Sequence, residues 1–329
     1  MEDRKLSETR RASGFFPVYQ MSITTEHLTM MNTPPQNTGQ KNAKISEPVI
    51  LWATGGLTQR ASHGLAELEF LSVSKYCHVW WNPRKRKNKT IQSLVSDLIN
   101  VTEQLSRKTR DQKIYLAGFC LGTIPAIHAV ATRPDLYHGY FGIAQRAYCL
   151  ENDRSVYYRM LDRASGSNER RLRRKLYEIG SPDRPSIASY NYRFFRKILR
   201  RYLTGNSLQI EITRALRIIV QRGWRSLLPL RQTSKILTAA YPGFVRSQGQ
   251  ITSVNVPVFL FHGRHDSVVI PSLGETFFRQ LQAPRKTFYW FERSGHFLFY
   301  DEQEKFHHLF SESLAQCSDP APPGDSITQ

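Results

Sequence analysis

Short apolar runs that each stop at a glycine-bearing turn are the feature that most limits how this chain can fold. Val49-Ile-Leu-Trp-Ala53 runs into Thr54-Gly55-Gly56, Ile114-Tyr-Leu-Ala117 into Gly118-Phe-Cys-Leu-Gly122, and Val256-Pro-Val-Phe-Leu-Phe261 into His262-Gly-Arg-His-Asp266. Runs this short, with no polar alternation, suit strands buried on both faces. Cys77-His-Val-Trp-Trp81, Tyr140-Phe-Gly-Ile-Ala144 and Thr287-Phe-Tyr-Trp-Phe291 read the same way. Helical patterns lie between them. From Thr90 to Ser106 the apolar positions Ile91, Leu94, Val95, Leu98, Ile99, Val101 and Leu105 recur at helical spacing, with Thr90 as the cap. Further helices are expected at Ile124 to Val130, around Leu273 to Leu281, and from Gln303 to Leu314. Alternating strands and helices predict an α/β fold, a mostly parallel sheet with helices on both faces.

That rhythm covers residues 47–150 and 239–316, the expected core. Residues 151–238 break it: they are Arg-rich, carry helical periods such as Tyr192, Phe195, Ile198, Leu199 and Tyr202, and predict a basic helical cap inserted into the core. Residues 1–46 read as a polar leader with an edge hairpin between Met21 and Met30, and residues 317–329 as a disordered, Pro-rich tail. A length of 329 residues and a hydrophobic content of 40% allow one large core plus such an insertion. No apolar run approaches the roughly 20 residues that cross a bilayer. The first residues are charged and lead into no signal-peptide core, so a cytoplasmic protein with no membrane span is expected. Cys77, Cys120, Cys149 and Cys317 lie far apart without metal-ligand spacing, which predicts reduced thiols and no metal.

Charge narrows the partners. The chain has a formal net charge of +19, and Glu151 to Arg246 holds 21 Lys plus Arg against 7 Asp plus Glu. A field of that sign attracts anions and is silent about fold.

The chemistry is carried by Gly118-Phe-Cys-Leu-Gly122, set between a strand and a helix. This is the context of a nucleophile elbow, with Cys where Ser is usual. Glycines at both ends are needed because side chains there would strike neighbouring elements. A helix amino terminus next to Cys120 favours its thiolate. Asp266 follows one later strand and His296 the next, in the order nucleophile, acid, histidine. Each falls at the carboxyl end of a strand, where an open α/β sheet builds its site. The oxyanion donors expected are the N–H of Leu121 and one from Gly56 or Leu57. His262, His265, His307 and His308 lack ligand spacing and read as structural or solvent-facing, and no cofactor is implied.

At these residues the chain resembles the proline iminopeptidase-like branch of the α/β hydrolases, from Val49 to Leu314. The likeness rests on Pro48-Val-Ile-Leu-Trp52 through Thr54-Gly-Gly56, Lys113-Ile-Tyr-Leu-Ala-Gly-Phe-Cys-Leu-Gly122, Arg133-Pro-Asp-Leu-Tyr137 with Gly142-Ile-Ala-Gln145, and Ala283 to His296. It implies the α/β-hydrolase fold with a helical cap, and covalent acyl transfer through a Cys120-His296-Asp266 triad. The chain departs from that branch in having Cys120 for Ser. It also has Thr54-Gly-Gly-Leu-Thr58 for the usual His-Gly-Gly-Pro-Gly loop, and Asn82-Pro-Arg-Lys-Arg-Lys87 for an Asp-x-Arg-Gly-x-Gly-x-Ser segment.

A thiol nucleophile exchanges readily with thioesters. The first class is therefore a hydrolase of a small-molecule ester, thioester or lactone. The second is an acyl or aminoacyl transferase fed by coenzyme A or by an acidic acyl or peptidyl carrier protein, either of which a basic cap would attract. The third is a non-catalytic polyanion-binding protein. Nucleic acid is the weaker choice of polyanion, because the aromatic spacing in Tyr190-Asn-Tyr-Arg-Phe-Phe-Arg-Lys197 fits an amphipathic helix better than a stacking groove.

Overall fold

The computed structural model describes residues 20–23, 28–30, 45–55, 75–81, 83, 90–109, 113–166, 169–182, 236–237, 239–246, 251–317 and 325–328. The strands are β1 (Gln20–Ile23), β2 (Leu28–Met30), β3 (Val49–Gly55), β4 (Cys77–Trp81), β5 (Ile114–Cys120), β6 (Tyr137–Ile143), β7 (Val258–Gly263), β8 (Lys286–Phe291) and β9 (Asp325–Thr328). They make one nine-stranded sheet in the order β2-β1-β4-β3-β5-β6-β7-β8-β9. All neighbours run parallel except the β1–β2 hairpin at one edge.

The period of two along each strand divides the core into two layers. Val49, Leu51, Val79, Leu116 and Leu260 face one side, under Leu94, Leu98 and Val101 of helix α1 (Ile91–Ser106) and Ala126, Ala129 and Val130 of helix α2 (Thr123–Thr132). Ile50, Trp52, Phe119, Phe141, Phe259 and Phe261 face the other, under Phe306, Phe310 and Leu314 of a carboxyl-terminal helix (Gln303–Gln316). Trp52 stacks on Phe310 with ring centroids 5.5 Å apart. Each such ring is worth about 1.5–3 kcal/mol when fully buried, so the central strands are mostly apolar because both faces need filling.

Helix α1 starts where a capping box forms: Thr90 Oγ1 accepts from Ser93 N at 3.1 Å, and Thr90 N donates to Ser93 Oγ at 3.1 Å. Within the expected cap, the described residues form α3 (Cys149–Gly166) and α4 (Arg170–Ile179), and α5 (Tyr241–Arg246) follows it. The periodic segment at Tyr192 to Tyr202 and the basic cluster at Arg84 to Lys89 lie outside the described residues. The remaining helices are α6 (Pro271–Gln280), α7 (Leu298–Asp301) and α8, the Gln303–Gln316 helix.

The tail departs from expectation. Residues 317–329 read as disordered, yet Asp325–Thr328 pairs in parallel with β8. One apolar residue, Ile327, gives no pattern to read; the strand forms because the open edge of β8 offers unpaired backbone groups.

Parallel register brings the chemistry to one edge. Gly55 of β3 lies opposite Cys120 of β5, and Gly263 of β7 opposite Phe291 of β8, so the carboxyl ends of these four strands lie along one edge of the sheet.

Candidate active site

Cys120 ends β5 in a left-handed conformation, φ 53°, which a residue with a side chain adopts at a cost of about 1–3 kcal/mol. The neighbouring glycines make that turn possible by being small. A Cβ on Gly122 would stand 2.0 Å from the Ala53 carbonyl oxygen, and one on Gly118 would stand 2.8 Å from Cα of Thr123. Gly122 N donates to Phe119 O at 2.9 Å, closing the turn, and Thr123 Oγ1 donates to the Cys120 carbonyl at 2.6 Å. Cys120 and Leu121 are buried, with the thiol at the amino-terminal approach to α2. Burial pushes the thiols of Cys77, Cys149 and Cys317 each up to about 12. At neutral pH those three stay in the thiol form.

Asp266 and His296 are fixed by two loops that lock together. Arg264 N donates to Phe291 O at 2.9 Å and His265 N to Ser294 O at 3.0 Å. Gly263 is needed between them, since a Cβ there would stand 2.1 Å from the Gly295 carbonyl oxygen. From the helix side, Glu302 Oε2 accepts from Ser294 Oγ at 2.6 Å and from Arg293 N at 3.0 Å, and Asp301 Oδ2 accepts from Gly295 N at 3.0 Å. These bonds leave the His296 loop little freedom.

The Asp266 carboxylate divides its work. Oδ1 accepts from Val268 N at 2.8 Å and Val269 N at 2.9 Å, while Oδ2 lies 2.8 Å from His296 Nδ1. A carboxylate can only accept, so Nδ1 carries the proton and Nε2 is left as a base. Nε2 is buried and faces the Cys120 side chain. Burial works against the charged imidazolium, but the charges of Asp266 and Cys120 outweigh it and push the His296 pKa up to about 10. Phe119 and Phe297 pack on the ring, with centroids 5.1 and 5.3 Å away.

Of the residues singled out in the sequence, Cys120, Asp266 and His296 meet, and Leu121 sits on the turn beside the thiol. Gly56 and Leu57 lie outside the described residues, although Gly55 pairs with Cys120 in the sheet. His262 is buried, its Nε2 accepting from Gln145 N at 2.9 Å, while His265, His307 and His308 are exposed. Among the described residues no group of three or more His, Cys, Asp or Glu could hold a metal ion. Sequence reading missed Thr123, Asn152, Asp301 and Glu302. Only the two acids had a visible signal, a carboxylate pair five and six residues beyond His296.

Two solved structures share this architecture. MenH from S. aureus is 13% identical with a TM-score of 0.54, covering 84% of this chain and 97% of that one. Rv0554 from Mycobacterium tuberculosis is 15% identical with a TM-score of 0.52, covering 82% and 91%. The chain has the α/β-hydrolase fold. The family model for serine aminopeptidase, S33, matches residues 179–303, a span that holds Asp266 and His296. A Bacillus subtilis (strain 168) protein named "Probable aminopeptidase YbaC" is 28% identical over 233 residues, 68% of this chain and 71% of the relative. No helix among the described residues is long and apolar enough to cross a membrane.

Proposed function

We propose that this α/β-hydrolase-fold chain is an enzyme that hydrolyses a small-molecule ester, thioester or lactone through a covalent acyl-thioenzyme, with Cys120 as nucleophile. The observation that carries the reading is a buried His296 bonded to Asp266 through one nitrogen, with its other nitrogen left as a base beside the strained Cys120 turn. His296 Nε2 holds the thiol proton while Sγ attacks the carbonyl carbon. The resulting oxyanion is held by Leu121 N–H and a donor from Gly56 or Leu57. Collapse breaks the bond to the leaving group, which takes the proton from His296. Water, deprotonated by the same nitrogen, then attacks the thioester and restores the thiol. Losing one oxyanion donor in such a site costs about 3 kcal/mol of barrier.

Two observations favour further arms of the same chemistry. The net charge of Glu151 to Arg246, 21 basic against 7 acidic residues, suits transfer from coenzyme A or an acidic carrier protein to a second acceptor. The likeness to the proline iminopeptidase-like branch, the S33 match and the name of the B. subtilis relative favour cleavage of an amino-terminal residue. Intact-protein mass spectrometry after mixing with acyl and aminoacyl thioesters, esters, lactones and aminoacyl amides separates them. An adduct lost in Cys120→Ala supports the acyl-thioenzyme. Its release to water marks a hydrolase, its release to a second thiol or amine a transferase, and an adduct from amides alone a peptidase. No adduct from any class overturns the proposal.

A further inference from the structure

The first helix of the expected cap region reaches into the catalytic machinery through one side chain. Asn152, on the opening turn of α3 (Cys149–Gly166), is buried, and its amide faces the segment that follows Asp266. Nδ2 donates to the Val268 carbonyl at 3.0 Å, and Oδ1 accepts from Ile270 N at 2.9 Å. The two bonds repeat what a paired strand would give that backbone, so the segment is held on both its donor and its acceptor side. This same segment presents Val268 N and Val269 N to Oδ1 of Asp266.

A second connection runs from the same stretch of chain to the nucleophile. Ala144, with φ 48°, bends the chain after β6. The bend brings Gln145 N to His262 Nε2 at 2.9 Å and Arg146 N to Thr123 Oγ1 at 3.0 Å, and Thr123 Oγ1 donates to the Cys120 carbonyl. The Arg146 guanidinium then pairs, fully buried, with Asp153, the residue after Asn152, while Tyr241 of α5 donates to the same carboxylate. Breaking a buried pair of this kind is strongly unfavourable, so the start of α3 is anchored.

We infer that Asn152 is a positioning residue that couples α3 to the catalytic acid: its amide clasps residues 268–270, whose N–H groups fix one oxygen of Asp266 and leave the other for His296. The inference rests on the reading of Asp266 and His296 as activators of Cys120. Asn152 touches no reacting atom, and its effect passes through Asp266. With the clasp gone, Oδ2 is free to swing from Nδ1, the imidazole loses the partner that fixes its proton, and the thiol loses its base. Displacements of about 1 Å in such sites can cost about 100-fold in rate.

The test follows the rate of Cys120 alkylation by iodoacetamide from pH 5 to 10, read by peptide mass spectrometry. It uses the full-length wild type, Asn152→Ala, Asn152→Asp, His296→Asn and Met160→Ala. Met160 is buried on the same helix. Its truncation removes stability from α3 without touching the clasp. Asn152→Asp keeps the volume and the acceptor for Ile270 N but cannot donate to Val268 O. Both Asn152 variants are expected to lower the neutral-pH rate about tenfold or more and to shift the pH at which it rises. Met160→Ala should keep the wild-type profile. Wild-type profiles in both Asn152 variants, with His296→Asn slow, overturn the clasp and leave the catalytic reading intact. A wild-type rate no faster than that of His296→Asn overturns both. If Asn152→Ala does not fold, the isosteric Asn152→Asp decides alone.

Discussion

His262, near the end of β7, and His296, in the loop after neighbouring β8, are both buried and have opposite electrostatics. His262 accepts a backbone N–H through Nε2 and stacks on Phe288 at 5.3 Å, and burial lowers its pKa to about 4. His296 is equally enclosed, yet the charges of Asp266 and Cys120 overcome the desolvation and raise its pKa to about 10. Asp266 also reaches His262, where its pull fails to offset burial. Burial alone therefore makes a histidine neutral and structural. A bonded carboxylate on one nitrogen and the charge of a thiol near the other reverse the shift.

The sharpest way to break this contrast is Asp266→Asn. Asparagine can donate to Nδ1 and hold the proton on Nε2, the wrong tautomer for accepting from a thiol. Hydrolytic turnover of whichever substrate forms the Cys120 adduct should fall by about 10⁴-fold, as measured by steady-state kcat. An effect under tenfold would mean the carboxylate does no more for His296 than it does for His262.

Stability over pH gives a medium effect. The folded pKa of His262 lies below the ordinary 6.5, so the unfolded chain takes up the proton first. Its contribution is complete above pH 6.5 and is lost as pH falls towards about 4, at no more than about 1.4 kcal/mol per pH unit. His78, buried against Trp52 and lowered to about 3, acts in the same direction. His296 has the opposite sign: its contribution is complete below pH 6.5 and disappears as pH rises towards about 10. Urea midpoints across pH should show a flatter alkaline limb in His296→Gln and a flatter acid limb in His262→Gln.

The smallest effect on chemistry is expected from His262→Phe. It leaves Gln145 N–H buried without its acceptor and should cost about 1–3 kcal/mol in stability. Cys120 alkylation should stay near the wild-type rate. A collapse of reactivity with stability unchanged would promote His262 from support to machinery.

These contrasts also explain what could be read from the chain before its fold was in view. The buried strands were legible because both faces of a parallel sheet need apolar residues, and Cys120, Asp266 and His296 because each follows such a run. The glycines at 118 and 122 were legible as a steric need of the elbow, whereas the approach of the Gly295 carbonyl that requires Gly263 appears only in the fold. Asn152 and Thr123 gave no signal, since their roles depend on backbone groups brought near by the fold, over 100 residues away for Asn152. Strand β9 was invisible for a related reason: its pairing comes from the edge of β8, and its own four residues carry no alternation. Asp301 and Glu302 could have been suspected, as acids just beyond His296, but nothing in the sequence distinguishes them from surface carboxylates.

The most direct test of the account compares the alkylation rate of Cys120 at pH 7 in the wild-type protein and in His296→Asn, under conditions where both are folded. If His296 is the base that activates this thiol, the wild type should react about 10²-fold faster or more, and the other three cysteines should remain unlabelled. Equal rates at Cys120 in the two proteins would contradict it, and would leave the Asp266–His296 pair as another buried structural contact.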